Sequence, residues 1–61
     1  MITINKIHPS GALECSAMVT DLFTRESFLK RQVYYGYNKA EARKAFLMLM
    51  IEEHLIEMLD Y

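Results

Sequence analysis

The sequence predicts an α+β domain: a three-stranded antiparallel meander followed by one long C-terminal helix packed across one face. Three observations carry that prediction. Up to about residue 35, apolar and polar side chains nearly alternate and β-branched residues are frequent, which is the period of a strand. From Lys39 to Leu59 there is neither Gly nor Pro, and strong helix formers dominate. Between these regions, His8-Pro9-Ser10-Gly11 and the polar stretch 21–26 supply turn chemistry.

Taken in order, residues 2–7 (Ile-Thr-Ile-Asn-Lys-Ile) make a short first strand. Pro9 pre-sets φ in the turn that follows, and Gly11 permits a positive φ. From Leu13 the alternation resumes: Leu13, Cys15, Ala17 and Val19 point one way, and Glu14, Ser16 and Met18 the other. Residues 28–35 form the third strand, with Leu29, Val33 and Tyr35 on one face and Lys30, Gln32 and Tyr34 on the opposite one. Gly36 breaks the strand. Asn38 caps a helix, and Glu41 three residues later reaches back to the cap N–H. A helix over 39–59 has about 21 residues and is roughly 30 Å long. The sheet face holding Ile2, Ile4, Leu13, Cys15, Ala17, Val19, Leu29 and Val33 is expected to meet this helix. The other face, with Thr3, Asn5, Glu14, Ser16, Lys30, Gln32 and Tyr34, is left open to water, which antiparallel sheets tolerate.

The chain has 61 residues, enough for a single domain over 1–61, and contains no repeat, linker or low-complexity segment. A domain of this size buries only about 60% of the surface of its unfolded chain, so its core is marginal and usually needs a staple. Cys15 is the sole cysteine and closes no intramolecular disulfide; in a strand it reads as a small buried hydrophobe. His8 and His54 are far apart, and Glu53, His54 and Glu57 read as a solvated helix face, so no metal and no cofactor is expected. A partner subunit is the staple that remains. Ala42, Ala45, Phe46, Leu49 and Ile56 form a stripe for the sheet, while Leu47, Met48, Met50, Ile51, Leu55 and Met58 occupy the other sides. A helix apolar all round is a buried helix. These six residues are therefore the expected interface of a homodimer, two-fold dimers being the commonest soluble assembly.

Net charge is −1, unevenly spread. Residues 25–44 carry six cations (Arg25, Lys30, Arg31, Lys39, Arg43, Lys44) against two anions, whereas residues 45–61 carry Glu52, Glu53, Glu57 and Asp60 with no cation. No Ser-His-Asp arrangement, glycine-rich phosphate loop or recognisable carboxylate pair is present, so the chain reads as a non-enzyme. There is no secretory pattern, and the longest apolar run, Ala45 to Ile51, falls far short of the ~20 residues that span a bilayer. A location in the cytoplasm and no membrane contact are expected.

The segment Val33 to Phe46, Val-Tyr-Tyr-Gly-Tyr-Asn-Lys-Ala-Glu-Ala-Arg-Lys-Ala-Phe, resembles the strand-to-helix junction of small phage and marine-bacterial proteins that share a Tyr-x-Gly-Tyr-x-Lys-x-Glu-Ala pattern. That group supplies no activity to carry over. In layout the chain is also similar to the three-stranded DNA-binding domains of plant ethylene-response factors and phage integrase arms. There a Pro-Ser-Gly turn, a meander, a Gly-aromatic bend and a Glu-Ala-containing helix follow in this order. That resemblance implies DNA read by the open sheet face, with Lys30, Gln32 and Tyr34 toward the duplex and Arg25 and Arg31 near phosphates. This chain departs from the pattern in lacking Trp and in placing Glu14 and Met18 where readers would sit. The reading favoured by the residues is a homodimeric binding protein with a protein partner, and nucleic-acid binding is the alternative.

Overall fold

A computed structural model of the chain describes residues 2–58. Strand β1 (Thr3–Ile7) leads through the Pro9 turn into the ten-residue strand β2 (Ala12–Asp21). Gly11 takes φ +77° in that turn, and its N–H closes on the Ile7 carbonyl at 2.8 Å. A second turn, built on Asp21, leads into β3 (Ser27–Tyr34). The Asp21 carboxylate accepts the Phe23 and Thr24 N–H groups at 2.8 and 3.1 Å, and the Asp21 carbonyl accepts Arg25 N–H at 2.9 Å. The helix α1 (Lys39–Glu52) and a short strand β4 (Leu55–Glu57) complete the chain. The α+β class and the antiparallel meander therefore stand as read from the residues.

The start of the helix follows its sequence signal. Asn38 Oδ1 accepts Glu41 N–H at 2.8 Å, while Glu41 Oε1 accepts Asn38 N–H at 3.0 Å, a complete capping box. Its end does not follow the expectation. The helix covers 14 residues, and its last turn is closed by Glu53 N–H on Leu49 O and His54 N–H on Ile51 O. His54 adopts φ +57°, the left-handed conformation that commonly stops a helix. Leu55, Ile56 and Met58 are not helical, and Leu59, where the long helix was expected to end, lies outside the described residues.

Sheet pairing supplies the physical reason. β2 is twice as long as β1, which pairs with it only from Ala12 to Ser16. The same edge of β2 would otherwise leave backbone donors and acceptors unmatched beyond Ser16. β4 runs antiparallel along that stretch, setting Leu55 against Asp21, Ile56 against Thr20 and Glu57 against Val19. Met58 N–H then donates to Met18 O at 2.9 Å. Residues with adequate helix propensity are thus taken into a strand because an unfilled edge lies beside them, a tertiary override of a weak local preference.

The core lies between the inner face of β2 and the helix. Leu13, Cys15, Ala17 and Val19 from β2 meet Ala42, Phe46 and Met50 from α1, with Ile2 and Leu55 closing the ends. Phe46, Val19 and Cys15 are fully buried. Met50 and Leu55, expected on the dimer side, are therefore core residues. Met50 lies one turn beyond Phe46 on the inner side of the helix, and Leu55 points inward from β4.

The faces of β3 are also reversed from the expectation. Pairing sets Met18 against Leu29, Ser16 against Arg31 and Glu14 against Val33, so Leu29 and Val33 share the open face. Phe28, Lys30, Gln32 and Tyr34 oppose Val19, Ala17, Cys15 and Leu13 and share the helix-bearing face. In β3 apolar residues come in pairs, Phe28-Leu29 and Val33-Tyr34, so its own pattern fits either phase. The Asp21 turn selects the register, and a one-residue shift of register transfers every side chain to the opposite face.

Truncating Leu55 and Ile56 separates strand from helix at this end of the chain. Leu55→Ala is expected to cost about 2–5 kcal/mol by urea denaturation, as for a buried leucine. Ile56→Ala, half-exposed on the open face, is expected to cost about 1 kcal/mol or less. Equal effects would contradict β4.

Candidate interaction surface

The sheet's open face is one candidate surface. Three strands bring Met58, Met18 and Leu29 side by side across it, through the Met58–Met18 backbone bond and the Met18–Leu29 pair. Ile56 sits in the next row beside Thr20, whose hydroxyl bonds to that of Ser27 at 3.0 Å. All four apolar side chains are exposed. Toward the other end of the face lie Arg31 and Glu14, the only charged residues on it among the described residues. The face is therefore apolar at one end, mixed at the other and close to neutral.

The second candidate is the outer side of α1. Leu47, Met48 and Ile51 are exposed there, Ile51 at 72%, with Lys44 and Glu52 at either end of the same side. Of the six residues expected at a helix interface, Leu47, Met48 and Ile51 lie on this outer side. Met58 is exposed on the sheet instead, across the molecule from them.

The residues proposed from sequence for nucleic-acid or partner contact do not form one surface. Arg25 sits in the Asp21 turn at φ +67°. Lys30 lies on the helix-bearing face, where its Nζ pairs with Glu53 Oε1 at 2.7 Å, beside the carboxyl end of α1. Gln32 and Tyr34 share that face, the Tyr34 ring lying against Tyr37 with centroids 5.1 Å apart. Arg31 alone projects from the open face. Lys30, Gln32 and Tyr34, expected to face a duplex from the open face, thus stay together but lie on the helix-bearing face, and the register of β3 leaves Arg31 on the opposite side from them. Leu29 and Ile56 were missed as members of the open face for the same reason: neither the phase of β3 nor the existence of β4 is written in local pattern. Met18 is different, since the alternation of β2 already set it there.

No chemistry-bearing cluster accompanies these surfaces. Among the described residues, no group of three His, Cys, Asp or Glu side chains is placed to hold a metal ion. Glu53, His54 and Glu57 are no longer on one helical face: Glu53 pairs with Lys30, the His54 ring meets Phe23 edge-on at 4.7 Å, and Glu57 belongs to β4. Burial pushes the Cys15 thiol above its ordinary value of 9.0. Tyr34 is also raised, by burial and then by the nearby Cys15 and Tyr37. A thiol held protonated in an apolar layer is a weak nucleophile. No described helix is long and apolar enough to cross a membrane.

No family model, no curated protein and no solved structure matches the chain, and the two resemblances rest on the residues that carry them.

The two raised groups give stability a sign with respect to pH. Each keeps its proton to higher pH when folded, so the unfolded chain releases it first and alkali favours unfolding. The urea midpoint is expected to hold steady up to the ordinary thiol value of 9.0 and to fall above it. Cys15→Ala should lessen the fall between the ordinary thiol and phenol values of 9.0 and 10.0, leaving above 10.0 the part of the Tyr34 effect that burial and Tyr37 cause. A wild-type midpoint unchanged through this range would contradict the assignment.

Proposed function

We propose that this chain is a non-catalytic binding protein, that it works as a homodimer through the outer side of α1, and that the open sheet face receives a protein partner. The observation carrying this reading is that each of the two layers buries one face against the other and leaves apolar side chains on its outer face. A helix with apolar residues on both sides normally has both covered. Two uncovered apolar surfaces on a chain of 7.2 kDa fit a component that is completed by association.

Magnitude sets the character of the dimer. Fully covering a Leu, Ile or Met side chain is worth about 1.5–3 kcal/mol. Leu47, Met48 and Ile51 are each already partly covered, so two copies together gain on the order of 5–10 kcal/mol before the cost of association, itself at least about 4 kcal/mol. The resulting dimer is modest in affinity, and polar groups at its rim weigh heavily. The open face, with one cation and one anion among the described residues and a Met-rich apolar end, suits an adaptable protein contact. Affinity for nucleic acid depends on neutralising several phosphates, which a near-neutral face does poorly.

Light scattering over a concentration series up to about 1 mM, the range in which so modest a dimer is populated, should show the mean mass rising from 7.2 kDa toward twice that value. Ile51→Asp should return the mass of one chain with an unchanged far-ultraviolet circular dichroism spectrum. A wild-type mass that stays at one chain throughout that series would refute the dimer. Anisotropy titration against labelled duplex DNA should show no binding at low salt; affinity falling steeply with salt would replace the protein partner with a polyanion.

A further inference from the structure

We infer that the two copies pair antiparallel about a two-fold axis at Met48, with Lys44 of each chain against Glu52 of the other. The inference rests on the helix-mediated dimer proposed above and adds its register and its dependence on ionic strength. Lys44, Met48 and Glu52 follow one another at intervals of four and form a single ridge along the exposed side of α1. At 1.5 Å per residue, the two charges stand about 6 Å to either side of Met48 along the helix axis. A two-fold axis through Met48 and perpendicular to the helix exchanges these ends, so a cation meets an anion twice. Parallel pairing in register sets lysine on lysine and glutamate on glutamate. The ridge is therefore self-complementary in one sense only, as an isologous interface requires.

Two further observations point the same way. Among the described residues, neither Lys44 nor Glu52 has an ion-pair partner within the protomer; the ion pair at this end uses Lys30 and the neighbouring Glu53. The charges of α1 also run against its own macrodipole. Apart from Glu41 of the capping box, the amino-terminal half, where anions are favoured, carries Lys39, Arg43 and Lys44. The carboxyl end carries Glu52 and Glu53 with no basic residue in its last turn, only Glu53 being paired among the described residues, with Lys30 of β3. An antiparallel second copy brings Glu52 to the basic half and Lys44 to the acidic end, relieving both mismatches. Leu47 and Ile51 flank the ridge and supply the apolar contact.

The test compares the unaltered 61-residue chain with Lys44→Glu, Glu52→Lys and an equimolar mixture of the two variants, by sedimentation velocity across a concentration series. Each variant alone sets like charges together twice and is expected to weaken dimerisation about tenfold or more. In the mixture, one chain offers two glutamates and the other two lysines, so heterodimers should form with affinity near that of the wild type. Raising salt to about 0.5 M should weaken the wild type and narrow these differences. Circular dichroism confirms that each variant is folded; if a reversal unfolds the chain, Lys44→Gln and Glu52→Gln replace it, each expected to weaken the dimer by about threefold. Dimers of equal strength in every sample would overturn the register while leaving the helix dimer standing. Wild-type chains that stay single at all concentrations would overturn both. Reversed variants that remain single when mixed would overturn the Lys44–Glu52 pairing itself.

Discussion

The structure depends on one strand being buried on its inner face and paired along both edges. β2 gives Leu13, Cys15, Ala17 and Val19 to the core, and each of the other three strands pairs only with it. Phe46, fully buried, fills the space between this row and the helix, with Ala42 and Met50 one turn to either side. Cys15 and Ala17 are small and buried in that row, and a close-packed core of this size tolerates little change of volume before packing is lost.

The unequal lengths of β1 and β2 determine much else. Because β1 covers only half of one edge, the chain after the helix has a hydrogen-bonding site to occupy, and β4 occupies it. This ends the helix after 14 residues, turns Leu55 into the core and carries Ile56 and Met58 onto the open face. The same event adds two apolar side chains to the open face, whereas the outer side of α1 owes its apolar character to Leu47, Met48 and Ile51 within the helix itself. The helix alone had been expected to carry all the excess apolar residues; the structure divides them between helix and sheet. A small domain that cannot bury its own apolar surface commonly completes itself by association.

The charge pattern along the chain is reworked by the fold in the same way. The basic middle segment appears in sequence as one block, yet β3 sends Lys30 to one side and Arg31 to the other, and Lys30 is engaged by Glu53. Lys39, Arg43 and Lys44 remain at the start of α1. The basic segment is thus a distributed set, and the densest part of it lies on the helix.

Several features were legible in the residues themselves. The alternation of β2 fixed which of its side chains enter the core, the Pro9–Gly11 and Asp21 turns marked the hairpins, and the Asn38–Glu41 capping box placed the start of the helix. Each is a local device, acting within a few residues through backbone geometry or side-chain capping, so sequence alone determined it. The face order of β3, the end of the helix, the existence of β4 and the composition of the open face were decided only by the tertiary structure. In those places the local preferences are nearly balanced: Phe28-Leu29 and Val33-Tyr34 fit either phase, and residues 53–58 accept helix or strand. A nearly balanced preference is settled by what the rest of the fold leaves unsatisfied, here the register imposed by a turn and the open edge of a long central strand.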